Sequence, residues 1–195
     1  AGLGRLGRRG GPIDFFRDRV MFPVFDTNGT VVGFGGRMLP DGQQPKYKNT
    51  PQTRLYDKSK VLYGLHLAKK QIVEADEIVV CEGYTDVIGC FRAGIPRAVA
   101  TCGTALTDDH VKLMTRFAKR IVIAFDADDA GKAAADRFYE WEDRHNAEVF
   151  VAAMPDGADP GQLAEENPIA LTNAVAAAEP FLSYRINRVL DKSDL

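Results

Sequence analysis

The sequence predicts an α/β fold: a mostly parallel sheet between helix layers, preceded by a small basic α+β hairpin module and followed by short helices. Three observations predict it. First, from about residue 77 onward apolar runs alternate with helical stretches. The runs are "EIVVCEG", "RAVATCG", "RIVIAFDAD" and "AEVFVAAMP", and between them stand "TDVIGCFRAG", "TDDHVKLMTRFA" and "DAGKAAADRFYEWEDRH". Strand and helix taking turns implies right-handed βαβ units and a parallel sheet. Second, the runs are apolar almost throughout, without polar alternation, as strands are when both faces are covered. Third, charge is unevenly placed. Residues 1–70 hold 13 Lys and Arg against 5 Asp and Glu, a net of +8; residues 71–195 hold 12 against 22, a net of −10, giving the overall −2. A basic region attracts polyanions and an acidic site attracts cations, so we expect a basic module over 1–70, a sheet domain over 71–160 and a helical segment over 161–195.

Taken in order, "AGLGRLGRRGGPIDF" is Gly/Arg-rich with a Gly-Pro turn signal and reads as a mobile surface segment. "VMFPVFDTNGTVVGFGGRML" reads as two strands joined at Thr27-Asn28-Gly29. The pair Gly35-Gly36 inside the second strand signals a bulge or a close approach of another group to the backbone. Residues 40–59 are polar and proline-broken and read as a loop. "KVLYGLHLAKKQIVEA" sets Leu62, Leu65, Leu67, Ile72 and Val73 at helical spacing. Gly94 closes the helix after the first buried strand, and Thr107 is placed to N-cap the next. The tail from Asp159 reads as further short helices.

Cys81, Cys90 and Cys102 form no CxxC pair and no ligand-like spacing with His66, His110 or His145. They read as buried small hydrophobes in a reducing compartment. The sequence shows no signal peptide and no apolar run long enough to span a bilayer. It opens on Ala1 and stops just past a helical pattern, so a segment of a longer protein is expected.

The chemistry is concentrated where strands end. In open α/β sheets ligands bind beyond the carboxyl ends of the strands. "EIVVCEG" ends on Glu82, with Asp86 opening the next helix; "RIVIAFDAD" ends on Asp126 and Asp128; "AEVFVAAMP" runs into Asp156 and Asp159. Side chains at i and i+2 share a side of a strand, so Asp126 and Asp128 converge. Unneutralised acids so gathered repel, by about 4 kcal/mol per pair at 4 Å in an effective dielectric near 20. Divalent cations relieve this, and an all-oxygen set without His or Cys selects Mg²⁺ first and Mn²⁺ second, against zinc. A single acid at a strand end is more commonly a helix cap or a solvated turn residue, the reading kept for Asp109 and Asp129. "DADDAG" is not an EF-hand, since Ala130 and Arg137 stand where oxygen ligands belong. No GxxxxGK[ST] and no GxGxxG follows a strand, which excludes a P-loop or a dinucleotide turn.

"CEGYTDV", "AFDADDAGKAAA" and "PDGADP" in this order resemble the Toprim domain of bacterial primases, topoisomerases, OLD-family nucleases and RecR-type proteins. Outside that core, "RDRVMFPVFDTNGTVVGFGGR", "PKYKNTPQT", "VLYGL" and "ATCGTALTDDH" are similar to segments of the DnaG-type primase family, so that the resemblance runs from about Phe16 to Pro160. It implies a Toprim-like fold and DNA-directed synthesis of short RNA primers from ribonucleoside triphosphates on single-stranded DNA. By the same resemblance Glu82, Asp126 and Asp128 are the catalytic acids: Glu82 is a metal ligand or the group shaping phosphoryl transfer, Asp126 and Asp128 are the principal ligands of Mg²⁺ or Mn²⁺, and Asp86, Asp156 and Asp159 complete or support the set. Arg37, Lys46, Tyr47, Asn49 and Lys58 match positions that meet nucleotide or DNA. Lys48, Arg54, Lys60, Lys69 and Lys70 read as a solvated basic face. Tyr47 reads equally as a base-stacking or a packing residue, and Gly103-Thr104 as a phosphate-binding turn or a tight strand–helix turn. The family's zinc-binding and helicase-interacting domains have no counterpart here, so zinc is not expected in this segment, and the replicative helicase is a partner of the full-length protein only. The family acts in the bacterial cytoplasm at the replication fork, with no membrane partner. The alternatives are a Toprim nuclease or topoisomerase, whose nucleophilic tyrosine has no signature here, and a non-catalytic RecR-like DNA-binding module.

Overall fold

The computed structural model describes residues 2–42, 44–124, 140–155 and 158–191. The Gly/Arg-rich start is more ordered than its composition predicts: β1 (Gly4–Leu6) pairs antiparallel with β2 (Pro12–Asp14). The turn closes with the Gly7 N–H donating to Gly11 O at 2.8 Å, and Gly10 takes φ 78°, which a side chain would resist. The glycines that read as flexibility are here turn residues.

β3 (Arg19–Phe25) and β4 (Val31–Met38) form the hairpin read from the sequence. Asp26 Oδ1 accepts from the N–H groups of Asn28 and Thr30 at 2.8 and 2.9 Å, holding the turn while Gly29 supplies φ 86°. The register shifts at Val24/Phe25, not at Gly35-Gly36. The stretch read as a loop over 40–59 contains β5 (Tyr47–Asn49), which adds antiparallel to β4. A three-residue polar strand held by backbone pairing has no apolar alternation by which to be seen.

α1 (Leu65–Ala75) buries Leu65, Ala68 and Ile72, while Leu67 and Val73 are 75% and 58% exposed, against the expected face. The helix starts only after Gly64 in the left-handed region, so Leu62 lies outside its periodicity and Ala68 completes the stripe instead.

The large sheet has the order β10-β9-β8-β6-β7. β6 (Glu77–Cys81), β7 (Ala98–Ala100), β8 (Arg120–Ile123) and β9 (Glu148–Val151) are parallel. β10 (Glu179–Pro180) adds antiparallel at the edge, a two-residue strand that the sequence reading missed. Helices α2 (Tyr84–Arg92), α3 (Asp108–Met114), α4 (Pro160–Glu166), α5 (Pro168–Ala176) and α6 (Phe181–Asp191) surround it, and residues 140–145 are helical. Alternate residues feed two cores. Ile78, Val80, Ile121 and Ile123 pack with Leu65, Trp141 and Phe181; Val79, Cys81, Val122 and Ala124 pack with Phe22, Val24, Tyr56, Leu163 and Leu171. The second core includes residues of the basic module, so that module lies on one face of the sheet. Thr107 caps α3 as read, accepting from His110 N at 3.1 Å. Cys81, Cys90 and Cys102 are free thiols and buried.

At the amino ends of the strands Glu77 receives both Arg97 and Arg120 at 2.7 Å, tying three neighbouring strands together. At the carboxyl ends, β6 connects through α2 to β7 on one side, whereas its other neighbour β8 leads on to β9 in the opposite direction. That divergence opens a crevice between β6 and β8, the place where open sheets bind ligands. Among the described residues no helix is long and apolar enough to cross a membrane.

Candidate active site

Glu82 is the first residue after β6 and is solvent-exposed at this crevice. It lies on the wall of a cleft of about 970 Å³ that also includes Arg37, Lys46, Tyr47, Asn49, Asp86, the 101–106 segment and Asp159. Six of the predicted site residues besides Glu82 therefore face one space: the basic hairpin module supplies one wall and the acids the other. Lys58 does not line it; it sits half-buried after the Asp57 turn. Asp126, Asp128 and Asp156 lie outside the described residues, as does Asp129. The described chain leaves β8 at Ala124, whose N–H donates to Val80 O at 2.9 Å. Among the described residues no group of three or more His, Cys, Asp or Glu is gathered closely enough to hold a metal ion.

Asp86 is buried, and its carboxylate is committed to backbone. Oδ2 accepts from the Gly83 N–H at 2.9 Å, closing a capping arrangement at the start of α2, and the Gly161 N–H binds it as well. Asp159 N-caps α4 by accepting from Gln162 N at 2.7 Å. Both acids thus perform the capping role commonest for strand-end carboxylates. A Cβ on Gly161 would fall 2.8 Å from Asp86 Oδ1 and 3.2 Å from Asp159 Oδ1, so only a glycine lets the two come so near the same backbone. Burial first, and the charge of Asp159 in addition, raise the Asp86 pKa above the ordinary carboxylate value, partly offset by the Gly83 and Gly161 N–H groups.

This has a sign. A folded-state pKa above the unfolded value means that the native state binds more protons between the two, so stability falls as pH rises from about 4 through the raised value. Asp159→Asn keeps the cap and removes the charge, since Asn and Asp cap equally well. The variant is expected to lose less stability than the parent over that pH interval. Denaturation midpoints measured across it check this, and parallel curves would show that Asp159 does not act on Asp86.

The sequence reading missed Tyr84. Its ring is 2% exposed, stacked on Phe22 at 4.7 Å between centroids and edge-on to Tyr63 at 4.8 Å. It occupies the space that Gly35 leaves: a Cβ there would meet the phenol at 2.2 Å. The Gly-Gly pair in β4 was the available signal, and it marks close approach, not a bulge. Tyr47 is half-buried, with its hydroxyl 3.4 Å from Thr85 Oγ1 and the Arg37 guanidinium 5.8 Å from its ring centre. Gly103 (φ 86°) lies on the cleft wall next to Cys102, which holds a strained φ of 52°.

Residues 1–69 match the DNA primase catalytic core, N-terminal domain, and residues 76–153 match the Toprim domain. The chain is 44% identical to the DNA primase of Streptomyces coelicolor, with all of this chain and 31% of that protein aligned, so it spans about a third of the relative's length. It superimposes on the RNA polymerase domain of Mycobacterium tuberculosis primase DnaG, in complex with a double-stranded DNA oligomer bearing a 6-nucleotide overhang. The TM-score is 0.87 at 39% identity, over 98% of this chain and 62% of that one. For the Escherichia coli primase catalytic core the TM-score is 0.84 at 35% identity, over 98% and 62%. The two family matches, the identities and the superpositions agree in sequence and in fold: the chain belongs to the DnaG-type DNA primase family, matching the N-terminal and Toprim parts of its catalytic core.

Proposed function

We propose that the full-length protein is a primase, a DNA-directed RNA polymerase that makes short RNA primers on single-stranded DNA by divalent-metal-dependent nucleotidyl transfer. The observation that carries this is the single cleft with Arg37 and Lys46 on one wall and Glu82 on the other. Nucleotidyl transfer brings together polyphosphate, template and a 3′ hydroxyl, and needs cationic groups for the phosphates beside acids that accept metal. The donor chemistry fits a hard divalent ion: oxygen only, at a rim where Asp86 is already driven toward protonation by burial and by a like charge. Glu82, Asp126 and Asp128 would hold Mg²⁺ or Mn²⁺, with Asp156 joining them and Asp86 and Asp159 supporting from their capping positions. The ion supplies charge neutralisation at the transferring phosphoryl group. Arg37 and Lys46 bind nucleotide or template phosphates, and Tyr47 offers a ring edge at the cleft. Products are RNA primers, and the replicative helicase is a partner of the full-length protein at the replication fork. Template-directed incorporation of labelled ribonucleotides by the full-length protein tests this; incorporation without template, or cleavage of the DNA instead, refutes it.

The basic module supports DNA binding. The Lys48 ammonium is pushed below its ordinary pKa by burial and by its neighbours Arg5, Arg19 and Arg17, a crowding of cations that phosphates relieve. Single-stranded DNA is expected to bind weakly, with log K falling against log salt at about −0.7 per phosphate neutralised. Titrations at several ionic strengths measure the slope. Arg37→Ala with Lys46→Ala is expected to weaken binding and flatten it, and binding indifferent to salt removes this assignment.

A further inference from the structure

Asn49 matches a nucleotide-contacting position by resemblance, yet its amide is engaged at both ends. Its Oδ1 accepts from the Tyr84 hydroxyl at 2.8 Å, and its Nδ2 donates to Cys102 O at 2.7 Å. The Cys102 N–H in turn donates to Glu82 O at 3.0 Å. Two covalent steps from Glu82 the chain reaches Tyr84, and the ring of contacts closes: Glu82, Tyr84, Asn49, Cys102, and Glu82 again. We propose that this clasp sets the main chain of Glu82, making Asn49 and Tyr84 positioning residues for the catalytic acid. The inference rests on the primase reading for the role of Glu82.

Three features support it. The links span the two modules, since Asn49 belongs to β5 and the others to the Toprim part, so the clasp joins the wall bearing Arg37 and Lys46 to the wall bearing Glu82. Tyr84 cannot swing away, because Phe22, Tyr63 and the Gly35 slot enclose its ring. Cys102 has φ 52°, a left-handed conformation that a non-glycine residue keeps only where surrounding bonds over-determine it. Both main-chain groups of Cys102 are so bonded. Asn alone suits the middle position: Asp offers Tyr84 an acceptor but repels Cys102 O, and Leu offers neither link.

The test uses the full-length protein with Tyr84→Phe, Asn49→Leu and the two combined. Tyr84→Phe keeps the ring in its slot and removes what the hydroxyl makes, the bond to Asn49 and the contact with the Cys102 side chain, so it stays folded if Asn49→Leu does not. Each single variant is expected to lower kcat for primer synthesis by about tenfold, the loss of one well-placed hydrogen bond, while KM for nucleotide stays within about twofold. The double variant is expected to be no worse than the poorer single one, because a clasp opened at one link is open. Without nucleotide or metal, amide exchange across residues 101–104 is expected to rise about tenfold in each variant. If the unaltered protein makes no primers, the primase reading fails while the exchange result still decides the clasp. Unaltered exchange, a KM that rises with kcat held, or losses that add in the double variant would each overturn the proposal.

Discussion

Glu82→Gln in the full-length protein is expected to reduce primer synthesis by about 100-fold or more, equivalent to about 2.7 kcal/mol of transition-state stabilisation, without lowering its metal-free melting temperature. The substitution keeps shape and hydrogen-bonding reach and removes one charge. That charge shares the cleft with Asp86 and Asp159. On the metal-ligand reading, metal-free stability is expected unchanged or slightly raised, and the stabilisation gained on adding Mg²⁺ is expected to shrink. A structural Glu82 predicts the reverse, since a lost cap or buried hydrogen bond typically costs ~1 kcal/mol. Melts of both proteins with and without Mg²⁺, beside a primer-synthesis assay, separate the two. A variant that melts well below the parent without metal and still primes would make Glu82 a structural strand-end residue.

Gly35→Ala is expected to be the most destabilising single-methyl change in the basic module. The new Cβ would stand 2.2 Å from both the hydroxyl oxygen and the ring carbon that bears it in Tyr84, far inside contact distance. No backbone strain is involved, since Gly35 lies in a paired strand without a left-handed φ. The cost is steric, and the neighbours leave little room: the ring is stacked on Phe22 and edged by Tyr63. Overpacking of this kind costs about 1–3 kcal/mol, and displacing Tyr84 also breaks its bond to Asn49. A loss of about 3 kcal/mol corresponds to a fall in Tm of roughly 6–12 °C for a domain of this size. Gly29→Asn is the control. Its position is open and needs only a positive φ, which Asn tolerates, so a shift within about 2 °C is expected. Equal melting temperatures for Gly35→Ala and Gly29→Asn would show that Tyr84 is not held in the slot.

The features legible in the residues alone are local. Continuous apolar runs marked β6, β8 and β9 as strands covered on both faces, Thr107 announced the start of α3, and Thr27-Asn28-Gly29 announced the hairpin. Glu82 at the end of β6 could be expected exposed at the cleft because the carboxyl edge of a parallel sheet is where chains leave the core and polar groups stay hydrated. Each of these signals is complete within a few residues, where propensity, periodicity and capping operate. The tertiary structure decided what depends on partners far away along the chain. β5 is a strand only because β4 lies beside it, and Leu67 is exposed because Leu65, Ala68 and Ile72, on the opposite side of α1, face the core. Asp86 reads from sequence like Glu82, yet folding buries it against the N–H groups of Gly83 and Gly161, while Glu82, four residues earlier, stays in the cleft. Asn49 meets Tyr84 and Cys102 across 35 and 53 residues of chain. No local pattern encodes such a meeting: burial and hydrogen bonding at these positions are properties of two surfaces brought together, and side-chain type alone does not say which surface will arrive.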